Sequence, residues 1–213
     1  MKSLQYDAAA ATRHLAGADR TLGRLIERVG PVRLRRSPYR TPFDALLRSI
    51  VYQQLSGKAA GTIHGRVLDL FPRRRPAPER LLALSDAQLR GAGLSGNKAR
   101  AVRDLAEKTL DGTVPSARRI AAMDDEDIIE RLVGVRGVGR WTVEMLLIFD
   151  LGRPDVLPVD DLGVRKGYAI TYRRRELPAA STMLRRGRLW RPYRSVASWY
   201  LWRATETVTP GDR

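Results

Sequence analysis

The chain has 213 residues, of which 43% are hydrophobic and 29% are charged, so it is long enough for one large or two small folded domains. No apolar run approaches the roughly 18–20 residues of a membrane span and no secretory signal opens the chain, so we expect a cytoplasmic protein without membrane partners. The absence of cysteine excludes disulfides, zinc–thiolate sites, iron–sulfur clusters and thiol nucleophiles. Lys and Arg number 39 against 23 Asp and Glu, and the net charge of +16 favours polyanionic partners, above all nucleic acid; anionic membranes and acidic proteins are the alternatives.

Helical patterns follow one another along the chain, and strand patterns are nearly absent. Apolar residues at three- and four-residue steps predict one amphipathic helix over residues 15–29. Thr41, followed by Pro and later Asp44, has the composition of a helix start, and Ser85 and Asp124 open capping boxes, the latter with Asp in place of Glu. Ser95 predicts a further start. Other helices are predicted over residues 59–71, 138–150, 161–172, 179–186 and 192–206. The result is an all-α fold of about nine short helices.

Residues 132–144 form the most informative stretch, because Gly134, Gly137 and Gly139 make a tight turn between two helical patterns. Glycine permits positive φ and close approach of another molecule. The turn leaves the first N–H groups of the second helix pointing outward, where the helix dipole favours an anion. On a basic protein this predicts a clamp on the phosphate backbone without base readout. An ordinary αα-hairpin with a tight turn is the alternative.

Two adjacent carboxylates, Asp160 and Asp161, follow a Pro-containing loop and precede a helix rich in positive charge. One of them can cap that helix. The other is a candidate for stabilising a developing cation or for positioning a water molecule. Farther on, residues 165–194 hold ten Lys and Arg residues and one acidic residue, Glu176, which makes either a solvated face or a set of non-specific phosphate contacts.

Residues 134–144 followed by 156–163 resemble the helix-hairpin-helix, Gly/Pro-rich loop and Asp signature of the DNA glycosylase superfamily named after those elements. The sequence is most similar to the 3-methyladenine DNA glycosylase II (AlkA-type) branch. The match continues upstream through residues 49–60 and downstream through residues 190–195 and 199–203. Three separated motifs in the right order make the resemblance specific.

The resemblance covers about residues 43–206 and implies two helical lobes with the hairpin at the cleft between them. Residues 43–153 would form the lobe that contains the hairpin. Residues 1–42 together with 154–213 would form the lobe that carries the catalytic Asp and the C-terminal helices. The additional N-terminal β-rich domain usual in the branch has no counterpart among the residues ahead of the match, so the chain resembles a minimal version.

The resemblance also implies roles for the residues that handle the base. Asp161 aligns with the catalytic Asp, which leaves the capping or loop role to Asp160. The base pocket would include Trp141, Trp202 and Tyr52. In bifunctional members a Lys nucleophile occupies the position of Trp141, and Lys is absent from residues 133–165, so the resemblance implies a monofunctional enzyme without AP-lyase activity.

A second set of residues would hold the DNA. Leu55 falls at the wedge that enters the gap left by an extruded nucleotide. The hairpin would bind the strand through Gly137, Gly139, Arg140 and Thr142. No cofactor is expected for catalysis, but main-chain carbonyls would ring a monovalent cation, Na⁺ or K⁺, at Val133, Val135 and Val138.

Together with the basic charge, the resemblance implies a monofunctional DNA glycosylase for base excision repair. It would act as a monomer on double-stranded DNA that contains damaged bases, in the cytoplasm, or at the nucleoid if the source is a bacterium. The expected reaction is excision of alkylated bases of the 3-methyladenine and 7-methylguanine type, by base flipping and Asp-assisted hydrolysis of the N-glycosidic bond. The alternatives are a non-catalytic helix-hairpin-helix DNA-binding module and a glycosylase for other lesions.

Overall fold

The computed structural model describes Leu4 and residues 6–207, and all regular structure in that part of the chain is helical, which confirms the all-α prediction. None of the helices among those residues is long and apolar enough to cross a bilayer. In chain order the α-helices are α1 (Ala8–Ala18), α2 (Arg20–Val29), α3 (Pro42–Tyr52), α4 (Gly57–Asp69), α5 (Pro78–Ala83), α6 (Asp86–Gly91), α7 (Gly96–Leu110), α8 (Ala117–Ala121), α9 (Asp125–Leu132), α10 (Arg140–Met145), α11 (Leu162–Thr171), α12 (Ala180–Gly187) and α13 (Arg194–Thr207).

The prediction of one helix over residues 15–29 is wrong, because Asp19 divides it into α1 and α2. The Asp19 backbone is extended (φ −141°, ψ 101°), and its carboxylate accepts the N–H groups of Thr21 at 3.1 Å and Leu22 at 3.2 Å as the N-cap of α2. An Asp that bonds the backbone two and three residues ahead starts a new helix rather than continuing the old one. The helix predicted over residues 138–150 is likewise shorter: α10 gives way to a π-helical segment, Leu146–Leu151.

Helix starts follow the predicted capping chemistry at most positions. Thr41 and Ser85 each form a full capping box, and the Ser95 side chain accepts the N–H of Lys98. The capping box predicted at Asp124 is wrong, because no side chain caps α9. The first turn of α9 carries three further acidic residues, Asp125, Glu126 and Asp127, whose negative charges interact favourably with the positive end of the helix dipole.

The chain folds into two compact units. Unit 1 comprises the described residues of Met1–Pro38 and Leu147–Arg213, and unit 2 is Tyr39–Leu146. In unit 2 the longest helix, α7, packs against α3, α5 and α6. Both α3 and α7 carry fully buried apolar side chains, among them Ile50, Val102 and Leu105.

The core of unit 1 is built around the contact between α11 and α13. A Cβ on Gly167 would lie 1.8 Å from the carbonyl oxygen of Leu201, so glycine is required for the two backbones to touch. Fully buried Tyr168, Trp190 and Tyr200 fill the surrounding core. This close approach brings the N-terminus of α11 beside the side chains of α13.

Candidate active site

Asp161 is the N-cap residue of α11. Its Oδ1 accepts the Val164 N–H at 2.7 Å and the indole Nε1–H of Trp202, on α13, at 2.8 Å. Of the two roles expected for Asp160, capping or loop, the structure leaves the loop role: Asp160 lies in the turn before α11, and Asp161 is the residue whose carboxylate reaches an N–H of the first helical turn. The structure thus brings together two sequence-predicted residues, Asp161 and Trp202.

Gly163 makes room for this pair. A Cβ at Gly163 would lie 2.8 Å from Trp202 Cδ1 and 3.1 Å from Asp161 Oδ1. On the other side of the pair, Trp202 stacks on Phe149 with ring centroids 5.5 Å apart and an interplanar angle of 26°. Sequence reasoning missed both Gly163 and Phe149. Gly163 and Gly167 lie four residues apart on one face of α11, a spacing that indicates a close neighbour on that face but does not identify it.

The loop that leads to Asp161 is tied to the start of α13. The carboxylate of Asp155 accepts two bonds from the Arg194 guanidinium, at 2.7 Å (Nε) and 3.0 Å (Nη2). The buried Ser195 hydroxyl donates to the Arg153 carbonyl at 2.7 Å and accepts the Val156 N–H at 3.0 Å. These bonds fix the direction from which the chain enters α11, and therefore the position of the Asp161 carboxylate.

Unit 1 also contains a buried carboxylate outside the predicted site. Asp19 is 4% exposed and accepts hydrogen bonds from the Tyr172 hydroxyl at 2.6 Å and from the Trp190 indole at 3.2 Å. Burial alone would raise the pKa of Asp19, but these hydrogen bonds, that of the Leu22 N–H and the Arg186 charge together hold the pKa below its ordinary value. Asp19 thereby links the α1–α2 junction to the C-terminal end of α11.

The hairpin of unit 2 runs from the end of α9 to the start of α10. Two short-range hydrogen bonds close it, from the Val135 N–H to Leu132 and from the Val138 N–H to Val135, both at 3.0 Å. Of its three glycines only Gly137 has a positive φ, of 78°. Gly139 is the N-cap residue of α10, and no heavy atom lies within 4 Å of the position its Cβ would take. The turn thus leaves space for a ligand beside Gly139.

Arg140, predicted to bind DNA, is paired with carboxylates of its own unit. Its terminal nitrogens donate to Glu126 at 2.7 Å and 3.0 Å, and its Nε donates to Glu144 at 3.2 Å. The hydrogen bond to Glu126, together with the charges of both carboxylates, raises the pKa of Arg140 above its ordinary value. Glu144 is only 5% exposed, so Arg140 also neutralises a buried charge.

The remaining predicted residues of unit 2 lie around the α3–α4 loop and the hairpin. Leu55 is 39% exposed in that loop, and Trp141 is 48% exposed in the first turn of α10. Tyr52, at the end of α3, carries the Arg48 guanidinium on its ring face, with Cζ 3.8 Å from the centroid, and meets the His64 ring edge-on. Burial, assisted by the charges of Arg48 and Arg74, lowers the pKa of His64.

Across the described residues, no cluster of three or more His, Cys, Asp or Glu side chains could hold a metal ion. The monovalent cation predicted at the hairpin would be bound by main-chain carbonyl oxygens and not by such side chains. Of the three predicted residues, Val133 is the C-cap residue of α9, and the carbonyl of Val135 accepts the Val138 N–H.

The chain is similar to known proteins over nearly its whole length. Residues 47–192 match the HhH-GPD superfamily of base excision DNA repair proteins. The chain is 37% identical over 195 residues to DNA-3-methyladenine glycosylase 1 of Schizosaccharomyces pombe, covering 91% of this chain and 86% of that protein. The structure of the 3-methyladenine DNA glycosylase of that yeast in complex with abasic DNA superimposes with a TM-score of 0.83, covering 92% of this chain and 97% of that one at 37% identity. A DNA-3-methyladenine glycosidase from Bacillus halodurans gives a TM-score of 0.86 at 36% identity, with 97% and 94% covered.

Proposed function

Because the chain belongs to the HhH-GPD superfamily of base excision DNA repair proteins, we propose that it is a DNA glycosylase that excises alkylated bases of the 3-methyladenine and 7-methylguanine type. The observation that carries the proposal is the pairing of the Asp161 carboxylate with the Trp202 indole at the N-terminus of α11. The S. pombe relative, similar over nearly the whole chain, is named for the excision of 3-methyladenine.

The chemistry needs one well-placed carboxylate. A base alkylated on a ring nitrogen is cationic, so its glycosidic bond breaks with the electron pair leaving on the base and without prior protonation. The deoxyribose then develops positive charge at C1′, which the Asp161 carboxylate stabilises before water adds to that carbon and loses a proton. The Val164 N–H and the Trp202 indole hold Oδ1 in one orientation, so little reorganisation is needed during the reaction.

Trp202 has a second role in this proposal. A cationic base stacked on an indole gains about 0.5–2 kcal/mol relative to a neutral one. The hydrogen bond to Asp161 and the stack on Phe149 fix the plane of the Trp202 ring. Trp141 and Tyr52 are the further base-contacting residues of the proposal. Selectivity for alkylated bases then combines this stacking with the lability of the lesion itself.

Unit 2 supplies the grip on the DNA. The main-chain N–H groups of Gly137, Gly139 and Thr142 would bind a backbone phosphate, since the N-cap residue of α10 has no side chain that competes for them. Leu55, exposed on the α3–α4 loop, would fill the gap left by the everted nucleotide. Arg140 would also contact the DNA, with its guanidinium held in place by the carboxylates of Glu126 and Glu144.

The main-chain carbonyl oxygens of the hairpin are suitable ligands for a monovalent cation. Carbonyl oxygens at the end of a helix such as α9 lack intrahelical donors, and the Val135 carbonyl keeps one lone pair after accepting the Val138 N–H. The neighbouring carbonyl of Gly134 already accepts a hydrogen bond from the Lys108 ammonium, so a carbonyl of this turn faces a cationic group. Val133, Val135 and Val138 would hold Na⁺ or K⁺, which would add positive charge beside a bound phosphate. DNA affinity in potassium chloride and in tetramethylammonium chloride at equal ionic strength tests this, with tighter binding expected in potassium.

The same proposal includes monofunctional chemistry. The resemblance to the superfamily's bifunctional members would put the Schiff-base Lys at position 141, where this chain has Trp, and an indole cannot attack the sugar as an amine does. We therefore expect base release without strand cleavage. The proposal also includes a cytoplasmic location and action as a monomer on double-stranded DNA that contains damaged bases.

The experiment is chromatography of the bases released from methylated DNA, with the strand analysed for nicks. Free methylpurine with an intact strand supports the proposal. Release of uracil or oxidised purines alone would assign a different lesion class, and DNA binding without base release would reduce the protein to a binding module. A nick formed through a covalent intermediate that borohydride traps would contradict monofunctional chemistry.

A further inference from the structure

The α3–α4 loop that carries Leu55 is held by a lysine from another helix. Lys98, in the first turn of α7, donates from Nζ to the carbonyl oxygens of Val51 at 2.6 Å and Gln53 at 2.7 Å. These carbonyls lie at the C-terminal end of α3, where a helix leaves acceptors unsatisfied and its dipole favours positive charge. A single ammonium thus fixes the point at which the loop leaves α3.

The same loop is joined to the hairpin. The side-chain amide of Gln53 donates from Nε2 to the carbonyl oxygen of Gly137 at 2.7 Å. Gln54, the next residue, has a φ of 57°, a conformation that a residue with a side chain adopts only where its surroundings impose it. Leu55 directly follows this constrained residue.

The far end of α7 holds the opposite side of the hairpin. The Asp104 carboxylate accepts the Arg136 N–H at 2.6 Å and the Lys108 ammonium at 3.0 Å, and Lys108 also donates to the Gly134 carbonyl. Lys98 and Lys108 are ten residues apart, which is about 15 Å along one helix. A rigid helix therefore touches both the loop and the hairpin.

We propose that Lys98 and Gln53 are positioning residues that set the Leu55 loop at a fixed place relative to the hairpin, so that wedge insertion and the grip on the strand act as one rigid element. The inference rests on the proposed function, because it assigns Leu55 the wedge role. An apolar wedge unstacks a base step only if it cannot retreat, and a loop held merely by its chain ends would yield. The contacts of Lys98 and Gln53 remove that freedom.

The test compares Lys98→Met, which keeps the length of the side chain but has no donor, with Lys98→Arg, which restores donors. Arg90→Met is the control, since it removes one positive charge from an exposed side chain elsewhere in unit 2. We expect hydrogen exchange at residues 54–56 to rise at least tenfold in Lys98→Met, with α11 unchanged. We also expect the fluorescence gain of 2-aminopurine placed beside the lesion to be largely lost, with the melting temperature within a few degrees of wild type.

Kinetics separate positioning from general folding. Single-turnover base release should slow at least tenfold in Lys98→Met at saturating enzyme, while affinity for undamaged DNA falls no more than in Arg90→Met. Lys98→Arg should recover most of the rate. In a Leu55→Ala background, Lys98→Met should add little, because residues that act through one another are not additive. Gln53→Leu should reproduce the exchange and fluorescence changes.

Failure of the Lys98 positioning role and failure of the glycosylase function would give different results. A wild-type protein that releases no methylpurine refutes the glycosylase but leaves the exchange measurement to decide the positioning role. Unchanged exchange and unchanged fluorescence in Lys98→Met would overturn the positioning role, as would rate losses that add fully to those of Leu55→Ala.

Discussion

Gly163→Ala places a methyl group against the pair that defines the candidate active site. The new Cβ would lie 2.8 Å from Trp202 Cδ1 and 3.1 Å from Trp202 Nε1, so the indole must retreat by about 0.6 Å to reach an ordinary contact. Because the new Cβ lies to one side of the Nε1–Oδ1 bond to Asp161, that retreat lengthens the bond from 2.8 Å to about 3.1 Å, and Oδ1, itself 3.1 Å from the new Cβ, is crowded as well, so the bond is weakened.

Two energies of opposite sign follow from this change. Losing a hydrogen bond to a charged acceptor costs about 1.5–3 kcal/mol and weakening one costs part of that, whereas replacing Gly by Ala in the first turn of a helix gains at most about 1 kcal/mol. We therefore expect the free energy of unfolding to fall by at most about 1 kcal/mol. Base release should fall by about 10–100-fold, because a misplacement of the order of an ångström at a reacting group has effects of that size.

The assay is single-turnover release of methylpurine, with chemical denaturation measured in parallel. Gly17→Ala is the matched control, because nothing lies within 4 Å of the Cβ position on that helical glycine. It should raise stability by up to about 1 kcal/mol and leave the rate unchanged. A Gly163→Ala protein that released bases at the wild-type rate would refute the claim that the Asp161–Trp202 bond orients the carboxylate.

Three further predictions test separate parts of the molecule. Leu55→Ala should weaken affinity for lesion DNA at an unchanged melting temperature, and unchanged affinity with a lower melting temperature would instead make Leu55 a packing residue. The lowered pKa of Asp19 means that this carboxylate stabilises the fold above about pH 4, its ordinary value, and that the contribution is lost as the pH falls through the depressed value. Between pH 7 and pH 3 the free energy of unfolding should therefore decline less steeply in Asp19→Asn than in wild type. Parallel curves for the two proteins would contradict this reasoning. Combined replacement of Arg173, Arg174 and Arg175 by Ala should reduce the salt dependence of DNA binding. Arg194→Ala should lower stability instead, because Arg194 is paired with Asp155. Equal salt slopes for the triple variant and wild type would exclude a role of the three arginines in DNA binding.

Sequence patterns predicted the helical class, the helix start at Thr41, the capping box at Ser85 and the tight glycine turn before α10, because each depends on residues close together in the chain. They failed at Asp19, where a periodic apolar stripe continues across a residue whose carboxylate starts a new helix. Periodicity reports which face is buried, but not whether the backbone turns between two helices that share the same core.

In the candidate site, too, the local features were predicted from the sequence and the contacts between distant residues were not. The aspartate and tryptophan were both found from motifs, but which carboxylate caps α11 depends on where that helix begins, and helix ends are the least certain part of a pattern. Gly163 and the contacts of Lys98 were missed, because they depend on pairs 39 and 45–47 residues apart that only the packed helices bring together. No local pattern carries that information.

Asp161→Asn compared with Asp160→Asn is the most direct test of the central claim. The Asn oxygen can still accept the Val164 N–H and the Trp202 indole, so the fold and DNA affinity should persist while the negative charge is lost. We predict that methylpurine release falls at least about 100-fold in Asp161→Asn and stays near wild type in Asp160→Asn, whose side chain is exposed. Release at the wild-type rate from folded Asp161→Asn protein would contradict the account.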